Sequence, residues 1–380
     1  MILDPVLLAR DLIRKPSVTP IDAGAMDVLE KQLSAMGFAC RRMQFGEVEN
    51  LYARRGTASP NLCFAGHTDV VPPGDPQAWR ADPFEAEIKD GVLVGRGAVD
   101  MKGGIAAWVA AVDRAGDLPG SLSFLITGDE EGVALDGTKK VVAVLQDEGE
   151  VIDHCLVGEP SSVAALGDVI KVGRRGSLNV WITVTGRQGH VAYPDRSANP
   201  VPVLNRLLHR LHDRQLDEGY PEFPPSNMEI TTIDVGNTAT NVIPAIARGR
   251  FNIRFNPTWT GAELMGWIEE ETRAVEAASP GCTIALEFLH SGDAFLTEHG
   301  SFVDVVTDAI KAELGVTCEP NTAGGTSDAR FIRALCPVLE FGLIGQTMHQ
   351  IDERVPVEEI HRLSAVYERI IRDYFARFAP

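Results

Sequence analysis

Three short apolar runs, NLCFAGH (61–67), SLSFLITGD (121–129) and HCLVGEP (154–160), each close on a histidine or a carboxylate. The segments around them, DPVLLARDLI, AMDVLEKQLSAM, GGIAAWVAAVDRAG and GTKKVVAVLQ, carry apolar residues at helical spacing. Strand runs alternating with helices predict an α/β fold with a mostly parallel-stranded sheet, because parallel neighbours need a crossover and here each crossover is helical. Open sheets of that kind gather ligands at the carboxyl ends of their strands. His67, Glu130, Glu131 and Glu159 all fall at that edge.

From about residue 177 the period changes. SLNVWITVTG alternates like a half-buried strand, NPVPVLNRLLHRLHD is helical, and NMEITTIDVG and ARGRFNIRF are successive strands. TGAELMGWIEEETRAV opens with a T-x-x-E capping box at Thr260 and Glu263, and CTIALEFL closes the series. The order β-α-β-β-α-β is that of a ferredoxin-like α+β unit. Helix and strand alternate again after residue 291. The expected organisation is therefore a discontinuous α/β domain, 1–176 and 291–380, with an inserted domain at 177–290.

A formal charge of −18 opposes phosphate backbones, so nucleic acid is not an expected partner. The six cysteines are dispersed without a C-x-x-C pair, which predicts reduced thiols and a cytoplasmic setting. The start, MILDPVLLARDLIRKPSVTP, lacks the basic head and apolar core of a secretory signal. No apolar run is long enough to span a bilayer, so no membrane association is expected.

His67, Asp100 in GRGAVDMKGG, Glu131 in TGDEEG, Glu159 in VGEP and His349 in GQTMHQIDE are the chemically active candidates. Singly, each has an ordinary reading as a helix cap, a solvated acid or a surface histidine. Together they form a nitrogen and oxygen ligand set suited to zinc. Without a cation the three carboxylates would repel one another and raise their pKa values. Asp69 lies two residues from His67, on the same side of an extended chain. It is either a turn former before VVPPG or the acceptor for the second ring N–H of His67. Glu130 and Glu131 are adjacent, so in an extended segment they point in different directions, and one can bind metal while the other stays free to move protons. No G-x-S-x-G elbow or H-E-x-x-H helix is present.

AGHTDVVPPG, GRGAVDMKGG, TGDEEG, VGEPSS, GRRGS, GHVAYP, TNVIPA, GGTSDARF and the late His349 occur in an order that resembles the dinuclear zinc aminoacylase and carboxypeptidase superfamily. The resemblance implies hydrolysis of an N-acyl amino acid, a small-molecule substrate, with two zinc ions that cobalt can replace. It places His67, Asp100 and Glu159 on one ion and Asp100, Glu131 and His349 on the other, with Glu130 as general acid and base. It also implies a cis peptide after Asp100 and a homodimer formed through the inserted domain, His190 reaching the partner's site to steady an oxyanion. Arg174, Arg175, Ser177, Asn241, Arg254, Thr326 and Ser327 resemble anion-binding positions, and guanidinium forks suit carboxylates. A metal-free amino-acid-binding relative is the competing class, and the intact Glu130 counts against it.

Overall fold

The computed structural model describes residues 2–380. The chain divides into two compact units: one comprises the residues up to Gly173, Thr297–Asn321 and Ser327–Pro380, the other Arg174–Leu296 and Thr322–Thr326. Arg174, Arg175 and Thr326 therefore belong with the inserted segment, outside the limits of 177 and 290 expected from periodicity.

In the first unit, among the described residues, an eight-stranded mixed sheet forms the frame. At its centre Ser121–Thr127, Asn61–His67, His154–Val157 and Val338–Glu340 run parallel side by side. Every residue of Asn61–His67 and of Ser121–Thr127 is buried, as expected where helices cover both faces of a sheet. The antiparallel pair Ala39–Phe45 and Val48–Arg55 extends one edge. At the other edge Val169–Lys171 and Glu319–Asn321 pair in parallel.

Helix Lys102–Ala115, rich in Gly and Ala, packs against Pro5–Ile13 and Val357–Phe378, with twelve of its fourteen residues buried. Small side chains permit that depth. A Cβ on Gly104 would lie 2.8 Å from the carbonyl oxygen of Gly158, so glycine lets the first helical turn press against the segment that carries Glu159. Trp108 stacks on Phe64 with centroids 4.8 Å apart, Tyr367 meets Trp108 edge-on at 5.0 Å, and the Tyr367 hydroxyl donates to Phe341 O. Such aromatic pairs add about 0.5–1.5 kcal/mol each beyond their area.

The second unit holds an antiparallel sheet in the order Asn227–Asp234, Ile246–Phe255, Gly176–Thr185, Thr283–Gly292. Helices Pro200–His212 and Gly261–Ala277 pack on it. Their apolar stripes close a core with Leu178, Val180, Ile182, Phe251 and Ile253, the alternate residues of the two central strands. Both halves of the capping box at Thr260 and Glu263 form, a device that contributes about 1 kcal/mol. Among the described residues no helix is long and apolar enough to cross a membrane.

Candidate metal centre

Parallel register sets the site. His67 pairs with Thr127, so two strands end level with each other. Val157 ends the third opposite Ala65, two residues short, which leaves Glu159 two residues further on near the level of His67 and the Glu130–Glu131 loop. Asp100 lies just before helix Lys102–Ala115, whose N-terminal dipole favours a carboxylate. The peptide from Asp100 to Met101 is cis, as the resemblance implies. His349 follows the short turn Gly345–Thr347 and takes a left-handed backbone, φ 61°.

Asp100 stands between two imidazoles. Its Oδ1 lies 3.1 Å from His67 Nε2 and its Oδ2 3.3 Å from His349 Nε2. Each ring also faces a glutamate of its own. His67 Nε2 is 3.7 Å from Glu159 Oε1, and His349 Nε2 is 2.9 Å from Glu131 Oε1. Ligand atoms of His67, Asp100 and Glu131 all fall within 4.8 Å of one another.

These groups answer one another's charge. Burial pulls the His67 imidazole down, but its hydrogen bond to Asp100 and the charges of Glu159, Asp100 and Asp69 outweigh that and hold it well above its ordinary value. Hydrogen bonds to Asp100 and Glu131 lift His349 to about 10. Burial would raise Asp100, yet the two imidazoles keep it low. Glu159 and Glu130 are pushed well up, chiefly by burial and then by neighbouring carboxylates. The donor set fits divalent cations on one further observation: Glu159 Oε1 is buried and receives no hydrogen bond, a cost that a cation would remove.

Asp69 corrects the sequence reading. His67 Nδ1 is 2.9 Å from the Asp69 main-chain carbonyl, whereas the nearest carboxylate oxygen is 3.6 Å away. The carboxylate instead accepts the backbone N–H groups of Glu130 and Glu131, at 3.2 and 3.0 Å. An extended chain brings both its own carbonyl and its side chain near the ring, and two amides on the neighbouring loop claim the side chain. Asp69 thus orients the ring through its carbonyl and fixes the glutamate pair through its carboxylate.

His190 and the other proposed substrate contacts, except Ser327, lie in the second unit. Ser177 and Arg254 pair in register on adjacent strands, and Arg254 is also opposite Asn227, which accepts from Arg175. Arg174 donates to Ala323 O. His190 pairs with Val242, and the Asn241 carbonyl accepts from Val191, so His190 and Asn241 are brought together. Thr326 lies in the short returning segment. Ser327 is 1% exposed and donates to Glu340, which removes its hydroxyl from any surface an anion would touch. The sequence reading missed Arg96 and Glu353, a buried pair beside Asp100. No periodicity links positions so far apart.

A family model, Peptidase family M20/M25/M40, matches residues 63–373. The chain belongs to that peptidase family. Family M20 enzymes are metal-dependent, in keeping with the donor set above. A succinyl-diaminopimelate desuccinylase of Caulobacter vibrioides is 67% identical over 377 residues, covering 99% of this chain and 97% of that protein. A protein of the same name from Phenylobacterium zucineum is 64% identical over 378 residues, covering 98% and 99%. The M20 fold is matched by a metallo-carboxypeptidase of Sulfolobus solfataricus, with a TM-score of 0.82 at 17% identity over 98% of this chain and 99% of that one.

Proposed function

We propose that this protein hydrolyses the amide of N-succinyl-LL-2,6-diaminopimelate to succinate and LL-2,6-diaminopimelate, a precursor of lysine, in the cytoplasm. The observation that carries the hydrolytic part is Asp100, with one oxygen towards each of two imidazoles and a glutamate beside each ring. The substrate follows from the two desuccinylases at 67% and 64% identity. His67, Asp100 and Glu159 would hold one zinc ion and Asp100, Glu131 and His349 a second, with cobalt an acceptable replacement. Bound there, a pair of divalent ions polarises the scissile carbonyl and acidifies a water, chemistry that cuts an amide without a serine or cysteine nucleophile.

The side chains supply the rest. Glu130 takes a proton from the attacking water and passes it to the leaving amine nitrogen. Glu130 is half-buried, and desolvation raises its carboxyl above the ordinary carboxylate value, the direction that favours a group which must carry a proton. Asp69 keeps the Glu130 backbone in place. Arg174, Arg175, Ser177, Arg254 and Thr326 are assigned to the carboxylates of the substrate, as bidentate or hydroxyl contacts.

Paired assays on zinc-loaded protein, with N-succinyl-LL-2,6-diaminopimelate and N-acetylornithine, test the substrate. The proposal expects kcat/KM to favour the succinyl compound by at least ~100-fold, as a site whose guanidinium groups are matched to an extra carboxylate discriminates strongly against a substrate that lacks it. Preference for N-acetylornithine would make the protein another acylamino-acid hydrolase of the same family.

We assign His190 to the active site of a partner subunit in a homodimer formed through the second unit, where it steadies the carbonyl oxygen as negative charge develops. Mixing a His190→Ala chain with an Asp100→Asn chain should then restore part of the activity, because a hybrid dimer holds one complete site. Hybrids that never recover activity would exclude action across the dimer.

A further inference from the structure

Two loops far apart in the chain meet beside the metal centre, and one buried ion pair ties them. Glu353, with no exposed surface, accepts the backbone N–H groups of Gly97, Val99 and Asp100 at 3.0, 2.9 and 3.1 Å. Its Oε2 also takes Arg96 Nη1 at 2.7 Å. Arg96, 2% exposed, lies over the Trp79 ring at 5.3 Å and donates to the carbonyls of Gln350 and His349, at 3.2 and 3.4 Å. One carboxylate therefore gathers the backbone that ends in Asp100. The guanidinium paired to it holds the backbone that carries His349.

We infer that Arg96 and Glu353 are positioning residues that set the spacing between Asp100 and His349. A buried ion pair by itself stabilises a fold little more than apolar groups of the same volume. This one also satisfies three backbone donors that apolar groups would leave orphaned. It further braces His349, whose left-handed backbone is costly for a residue other than glycine. The Asp100 Oδ2 to His349 Nε2 distance of 3.3 Å is therefore fixed from behind on both sides. His67, by contrast, is fixed by its own strand and by the Asp69 carbonyl.

The inference rests on the reading of Asp100 as a ligand shared by two ions, and it concerns mainly the ion held by His349 and Glu131. In Glu353→Gln the amide can still accept from Val99 and Asp100, but its NH2 then faces the donors of Gly97 and Arg96. The test is calorimetric titration of Co2+ into metal-free wild type, Glu353→Gln and Arg96→Lys, with the absorption spectrum of bound Co2+ and thermal unfolding of each metal-free protein recorded alongside. One Co2+ step is expected to weaken by about 10–100-fold with a changed spectrum, the range typical of groups that orient ligands, and the other by clearly less, since Asp100 serves both ions whereas only one also depends on His349. Two unchanged steps in folded variants would overturn the inference. So would two steps weakened equally in proportion to a loss of thermal stability, which is a purely structural role. A wild type that takes up no pair of ions would fail at the metal reading itself, a result distinct from both. If Glu353→Gln does not fold, Arg96→Lys decides by the same readings, since it keeps the charge and loses the fork onto the His349 and Gln350 carbonyls.

Discussion

Glu130→Gln should lower kcat by on the order of 10³-fold, inside the 10²–10⁴ that a positioned proton carrier supplies, while zinc content stays at the wild-type level. The change keeps the volume of the side chain and leaves the backbone N–H of residue 130 on the Asp69 carboxylate. What it removes is the capacity to accept and return a proton. Turnover of the succinyl substrate measured beside elemental analysis checks both halves. A variant whose kcat stays within about tenfold of wild type would take Glu130 out of the proton path, whatever its metal content.

Asp100→Asn should have the larger effect on binding. The amide fits the same space but cannot offer an anionic oxygen to each imidazole. Zinc affinity should fall by at least ~100-fold, the upper end of what outer partners of a metal site cost, because a ligand itself is lost. A second consequence is visible without metal. The His349 ring is held up to about 10 first by its hydrogen bond to Asp100 and then by that to Glu131. Removing the first anion disfavours the imidazolium, so the ring must titrate at lower pH in the variant. NMR titration of the metal-free proteins reads this directly. An unmoved His349 titration together with unchanged zinc affinity would show that Asp100 is not the shared ligand.

The two predictions draw on parts of the molecule that differ in how far the sequence reveals them. The strand ends carrying His67, Glu131 and Glu159 are legible, because a buried parallel strand must be apolar along its length and can turn polar only where it leaves the sheet. The inserted α+β unit is legible for a similar reason: its strands bury one face, so period two survives in the sequence, and Thr260 with Glu263 marks a helix start. His349 sits in an irregular turn, where no strand end or helix period marks it, so by itself it reads as an ordinary surface histidine and stands out only beside the other ligand-type residues. The Asp69 side chain was misread because carbonyl and carboxylate of one residue compete for the same ring nitrogen, a contest settled by amides sixty-one and sixty-two residues away. Arg96 and Glu353, 257 positions apart, leave no local trace, nor does the return of Thr322–Thr326 to the second unit.

The spread of the ligand set along the chain also bears on how the protein matures. A nascent polypeptide that has delivered His67, Asp100, Glu131 and Glu159 still lacks His349 and the Glu353 that gathers the Asp100 backbone. On the proposed assignment the ligands of one cation are complete by Glu159, so only the free energy of capturing the second, which would act solely on forms able to bind it, reaches the chain late in synthesis. Truncated or stalled products would lack that second contribution, which only a chain extended past His349 and Glu353 could gain.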